Sequence, residues 1–184
     1  MKLKSTNILL VSILIFLAAA SRVVFSQAHL YNLAPIGALG LFSGAVLKDK
    51  RSAFLLPLLA QFAADLYFQF FTNTPGFYDI SQFFTYGGLA VATLIGFGMN
   101  DIKPLKVLGY ALGASTAFFL LSNFGFWLHG WNGYTFGGLS KTYIDAIPFY
   151  KNTMIGDLVG SVILFGVYAL MQKANSANTQ EAKA

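Results

Sequence analysis

Three side chains that ionise sit in stretches otherwise built for lipid. Asp65 lies in LLPLLAQFAADL at 55–66, Asp157 in AIPFYKNTMIGDL at 146–158, and Arg22 follows ILLVSILIFLAAAS. Asn32, Asn123, Asn152, Trp127, His129 and Trp131 stand near the ends of the same apolar runs. An ionised group in hydrocarbon costs a few kcal/mol, so it turns inward and finds a partner or a wet cavity. Arg22 is suited to neutralise Asp65 or Asp157, and the asparagines to complete the hydrogen bonds. Two readings follow. In one, the three charges form a clamp that holds three helices. In the other, they form the polar floor of a substrate pocket. A proton relay would need carboxylates strung through the whole depth of the membrane, and the inner half offers none.

The motifs of known catalytic chemistry are missing. The chain has no cysteine and two histidines, His29 and His129, each standing alone. There is no HExxH, no paired histidines and no GxSxG, and GLFSGA lacks the lysine of a phosphate-binding loop. His129, in FWLHGWNGY, is either an axial ligand to a cofactor metal or polar decoration at an interface. The expectation is therefore no catalysis, no metal and no cofactor. A net charge of +5 comes from basic residues scattered in ones and twos, which argues against nucleic acid as a partner.

The elements that must carry these residues are apolar helices. The chain has 184 residues, of which 56% are hydrophobic and only 10% charged, and its mean hydropathy is +0.62. A soluble domain carries about 25% charged residues, so the partner for most of this surface is a lipid bilayer. At about 20 residues per crossing, the sequence divides into six spans: 8–26, 35–47, 53–71, 81–99, 105–128 and 152–171. The second is short, and either tilts or reaches the interface through the loop before it. The expected fold is an all-α six-helix transmembrane domain over residues 1–171, with a disordered cytoplasmic tail at 172–184.

Lysine and arginine set the direction. With the N-terminus in the cytoplasm, the inner side holds Lys2, Lys4, Lys48, Lys50, Arg51, Lys103, Lys106, Lys173 and Lys183. The outer side keeps Arg22, Lys141 and Lys151. Both termini are then cytoplasmic. A cleaved secretory signal at residues 1–21 is the rival reading, and renewed apolar character at VVF after Arg22 speaks for a retained span. In this frame Arg22, Asp65 and Asp157 share the outer half of the membrane. The stretch HGWNGYTFGGLSKTYIDAIPFYKN, from 129 to 152, reads as a long aromatic external loop that folds back as a cap, or as an interfacial belt of Trp and Tyr. Small residues four apart, at Gly40/Gly44, Gly109/Gly113 and Gly156/Gly160, permit close helix approach.

Four stretches together, NLAPIGALGLFSGA at 32–45, LLPLLAQFAADL, SNFGFW at 122–127 and AIPFYKNTMIGDL, resemble a bacterial family of small membrane proteins. That family looks related to the substrate-binding S components of energy-coupling factor vitamin transporters. The similarity covers roughly residues 20–170. It implies a bundle in the bacterial inner membrane that binds a vitamin-like small molecule, with cobalamin as one guess, under its external loops. The polar positions matched are Asn32, Asp65, Asn123, Asn152 and Asp157. It also implies docking on an energy-coupling membrane subunit driven by ATPases. The usual Ala-x-x-x-Ala docking face is replaced here by consecutive Ala18, Ala19 and Ala20, with Ala60/Ala64 on the third span. Two rivals stand beside uptake. One is an accessory subunit of a larger membrane complex. The other is a lipid-modifying enzyme, for which no reactive constellation is present.

Overall fold

The computed structural model describes residues 8–181, which form six helices and no strand. They are α1 (Ile8–Gln27), α2 (Ile36–Val46), α3 (Lys50–Phe71), α4 (Ser81–Phe97), α5 (Pro104–Leu128) and α6 (Phe136–Glu181). Local chemistry fixes several starts. Asp49 caps α3, its Oδ2 accepting the Ser52 N–H at 2.8 Å. Pro104 opens α5, where a missing N–H costs nothing. Thr135 Oγ1 accepts the Gly138 N–H at 3.0 Å at the start of α6.

Four helices, α1, α3, α5 and the Phe136–Ala174 stretch of α6, are long and apolar enough to cross a membrane. Large apolar side chains such as Phe71, Phe83, Leu105 and Leu170 point outward, as lipid-facing residues do. The chain is a membrane protein on these grounds.

The second expected span departs from this pattern. α2 has 11 residues, about 16 Å of helix, against a hydrocarbon core of about 30 Å. It is enclosed instead: every residue from Gly37 to Val46 is buried, and all five other helices pack around it. A helix this apolar on every face belongs in a core. Its nearest neighbour is α4, which approaches so closely that a Cβ at Gly44 would fall on the Thr93 carbonyl oxygen. Gly40 also lies at this contact, and Gly156/Gly160 seat the chain at Leu33 and Pro35 against α6. Gly109 and Gly113 face open space. α1 and α6 barely touch, and an apolar groove of about 440 Å³ lies between them.

The long external loop is also corrected. Only residues 129–135 are loop; from Phe136 the chain is already α6, a 46-residue helix that runs through Pro148. The aromatic residues that suggested a cap hold this helix against α5. Tyr143 Oη donates to the Leu120 carbonyl at 2.7 Å, and Tyr150 Oη lies 2.7 Å from Thr116 Oγ1. α6 also continues past 171 through Glu181, where Ala, Gln, Lys and Glu favour propagation of a helix already nucleated. Residues 172–181 are thus helical. Lys2, Lys4 and Lys183, counted above for the inner side, lie outside the described residues.

Candidate functional site

Arg22 and Asp65 meet. They sit late in α1 and α3, and the Asp65 side chain is almost wholly buried. Its Oδ1 accepts from Arg22 Nη1 and from Gln61 Nε2 at 3.4 Å; its Oδ2 accepts from Tyr86 Oη at 2.6 Å and Gln82 Nε2 at 3.3 Å. Four donors from three helices surround one carboxylate, which is how a charge survives burial. The Arg22 guanidinium also lies over the Phe68 ring, 4.8 Å from its centroid, a cation–π contact.

Asp157 is elsewhere. It is fully buried, and its Oδ1 accepts the Ala38 N–H at 3.0 Å. Ala38 is in the first turn of α2, which starts after Pro35 with no side-chain cap of its own. Such N–H groups need an acceptor, and the buried Ala38 finds its own in Asp157. Asp157 therefore caps α2 from another helix. It stands beside Ser115, the twelfth of 25 residues in α5 and thus near the middle of that helix. Of the two acids offered to Arg22 by the sequence, Asp65 takes the pairing, and Asp157 meets the N-terminus of α2 instead.

A half-length α2 leaves room above its N-terminus. Two adjoining chambers, of about 560 and 430 Å³, lie there. Ala34 and Ile36, at the start of α2, line the smaller, and Asn32, Phe118, Phe149 and Thr153 line both. The larger chamber adds uncharged polar groups, among them Ser81, Thr85, Ser122 and Asn123, and the aromatic rings of Phe126 and Trp131. Trp131 stacks on Phe126 with ring centroids 6.1 Å apart. Asn123 ties its amide nitrogen to the Phe119 carbonyl at 2.8 Å.

Of the residues singled out from the sequence, Asn32, Asn123 and Trp131 line the larger chamber and Arg22 the smaller. Asp65 stands behind Arg22. The remaining four have other duties. Trp127 donates from Nε1 to the Gly133 carbonyl at 3.0 Å, pinning a turn in which Gly130 and Gly133 take positive φ. His129 Nδ1 lies 2.9 Å from Asp79 Oδ2, fastening the loop before α4 to the end of α5. The hydroxyl and N–H of Ser81 hold the Asp79 carboxyl below the usual carboxylate range. Asn152 donates to the Tyr31 carbonyl at 3.2 Å and anchors the segment before α2.

Sequence reasoning missed Gln61, Gln82 and Tyr86. Their signal was spacing: Gln61 and Asp65, and Gln82 and Tyr86, are each four apart and so share a helix face. It also missed Phe118, Phe149 and Thr153, which carry no polar signature beyond what a packed helix shows. Among the described residues no cluster of three or more His, Asp or Glu side chains is placed to hold a metal ion.

No curated protein and no solved structure matches this chain. One family model does, described as a family of unknown function (DUF6580); it covers residues 2–179, nearly the full length, and the protein belongs to that family.

Proposed function

We propose that this protein is a multi-pass protein of the bacterial cytoplasmic membrane that binds a vitamin-like small molecule and serves its uptake, with no catalysis of its own. The observation that carries this reading is the larger chamber. Its volume of about 560 Å³ lies within the range of small-molecule sites, and it mixes apolar walls with a few convergent polar groups. A shortened helix ending at mid-depth is also the usual architecture around a membrane binding site. The excess of Lys and Arg on the loops 47–49 and 98–103 and nearby helix ends supports an external side for the chambers at the opposite end. Movement of the ligand across the membrane then calls for an energy-coupling partner or a rearrangement of the bundle.

The experiment is a thermal-shift screen of purified protein against pooled vitamins, cobalamin included. A bound compound raises the melting temperature by mass action. Ala146, buried against the larger chamber, provides the control. Ala146→Phe should abolish the shift while leaving the unliganded protein folded. A wild-type protein that responds to no compound would sink this reading.

A second reading, an accessory subunit of a larger complex, is favoured by one feature. Gly109 and Gly113 present an exposed, side-chain-free strip on α5. A protein that co-purifies in stoichiometric amount and is lost on Gly113→Leu would support it.

A further inference from the structure

We infer that the two chambers form one site for a ligand with an anionic end, a carboxylate or phosphate, held at Arg22, and an uncharged ring-bearing body held near Trp131. The inference rests on the binding reading above and adds the chemical class of the ligand. Three observations carry it.

The first is charge. Among the described residues Arg22 is the one cationic side chain lining either chamber, and Asp145 the one acid. Asp145 is half-exposed and already paired with Lys141 at 2.7 Å. The larger chamber is thus suited to an uncharged body, and the smaller one holds the only positive group.

The second is how Arg22 is held. A guanidinium has five N–H donors in a rigid fork. Among the described residues one hydrogen-bond partner is present, Asp65. Asp65 is itself saturated by Gln61, Gln82 and Tyr86, so its negative charge is shared over several donors. Phe68 covers one face of the guanidinium. What remains is an unused edge in a wall of the smaller chamber, fixed in place before any ligand arrives. A preorganised, partly buried Arg edge matches the paired oxygens of a carboxylate or phosphate.

The third is the junction. Asn32 lines both chambers and is exposed, with φ of 61° and no side-chain hydrogen bond among the described residues. A residue other than glycine in the left-handed region signals a constraint worth explaining. Here the constraint sets an unpartnered amide between the ring chamber and the arginine.

The test uses the full-length protein in detergent and a series of matched probes: phenylacetate, phenylpropionate and phenylbutyrate, each against its uncharged amide. Binding is read by Trp fluorescence and thermal shift. The acid of the length that spans both chambers should bind roughly ten- to hundredfold tighter than its amide, the effect of one hydrogen bond to a charged group. Arg22→Gln combined with Asp65→Asn removes both charges without stranding either, and should bring the acid down to the level of the amide. Arg22→Lys keeps the pair with Asp65 but loses the fork, and should lower the acid's advantage as well. Amides that equal or exceed their acids overturn the inference and leave the pocket reading intact. So does an uncharged vitamin whose binding survives the double substitution. A pool compound bearing a carboxylate or phosphate, and lost on that substitution, supports the inference even where the phenyl series is too small to bind. Silence from every probe and every pooled compound overturns both.

Discussion

At the scale of single residues, the question is what a buried carboxylate is for, and the two acids answer differently. Asp65 serves Arg22, whereas Asp157 serves a backbone. The buried Ala38 N–H would otherwise lose its acceptor, at a cost of about 1–3 kcal/mol. Asp157→Ala should therefore lower stability by about that amount in denaturant titrations of the detergent-solubilised protein. Asp157→Asn keeps an acceptor oxygen and should lose less. Because Asp157 lines neither chamber, both variants should retain ligand binding wherever they stay folded. An Asp157→Ala protein as stable as wild type would remove the capping role. The sequence reveals that an acid is present in an apolar run and must face inward. It does not reveal which partner it meets, because an N–H at the start of α2 has no side-chain signature, whereas Arg22 has an obvious one.

At the scale of elements, α2 governs the molecule. Its glycines are not equivalent to those on α5, although both pairs share the four-residue spacing. At Gly44 an added methyl would strike the Thr93 backbone of α4, and neither partner can move without parting two helices. Gly44→Ala should therefore destabilise by about 1–3 kcal/mol, the usual cost of overpacking. Gly113→Ala meets nothing within 4 Å and should be neutral, or stabilising by up to about 1 kcal/mol through helix propensity. Equal effects at the two sites, read by parallel unfolding curves, would show that the α2–α4 contact is not tight in the folded protein. Helix positions were largely legible from hydropathy; α1, α3 and α5 begin and end within a few residues of expectation. What hydropathy could not tell is whether an apolar run of a dozen residues crosses lipid or fills a core, since both environments select the same side chains. The start of α6 was hidden for another reason. Glycine, proline and aromatics argue for a loop, and it is packing against α5 through Tyr143 and Tyr150 that overrides them.

At the scale of the whole molecule, successive helices run antiparallel, so the segments 28–35, 72–80 and 129–135 gather at one end and the links 47–49 and 98–103 at the other. The chambers, the Arg22–Asp65 network and the Asp79–His129 contact all lie at the first end. Lys48, Lys50, Arg51, Lys103 and Lys106 lie at the second, and that asymmetry is the ground for proposing that the second end faces the cytoplasm. The orientation bears on the proposed function, since uptake calls for a pocket that faces outward. It can be tested without disturbing the bundle, because the chain has no native cysteine. Lys50 and Asn73 are both exposed and lie at opposite ends of α3. In intact cells a membrane-impermeant maleimide should label Asn73→Cys and spare Lys50→Cys until the membrane is opened. The reverse pattern would turn the chambers toward the cytoplasm and overturn the proposed uptake role. Labelling of both from outside would mean that α3 does not cross the membrane at all.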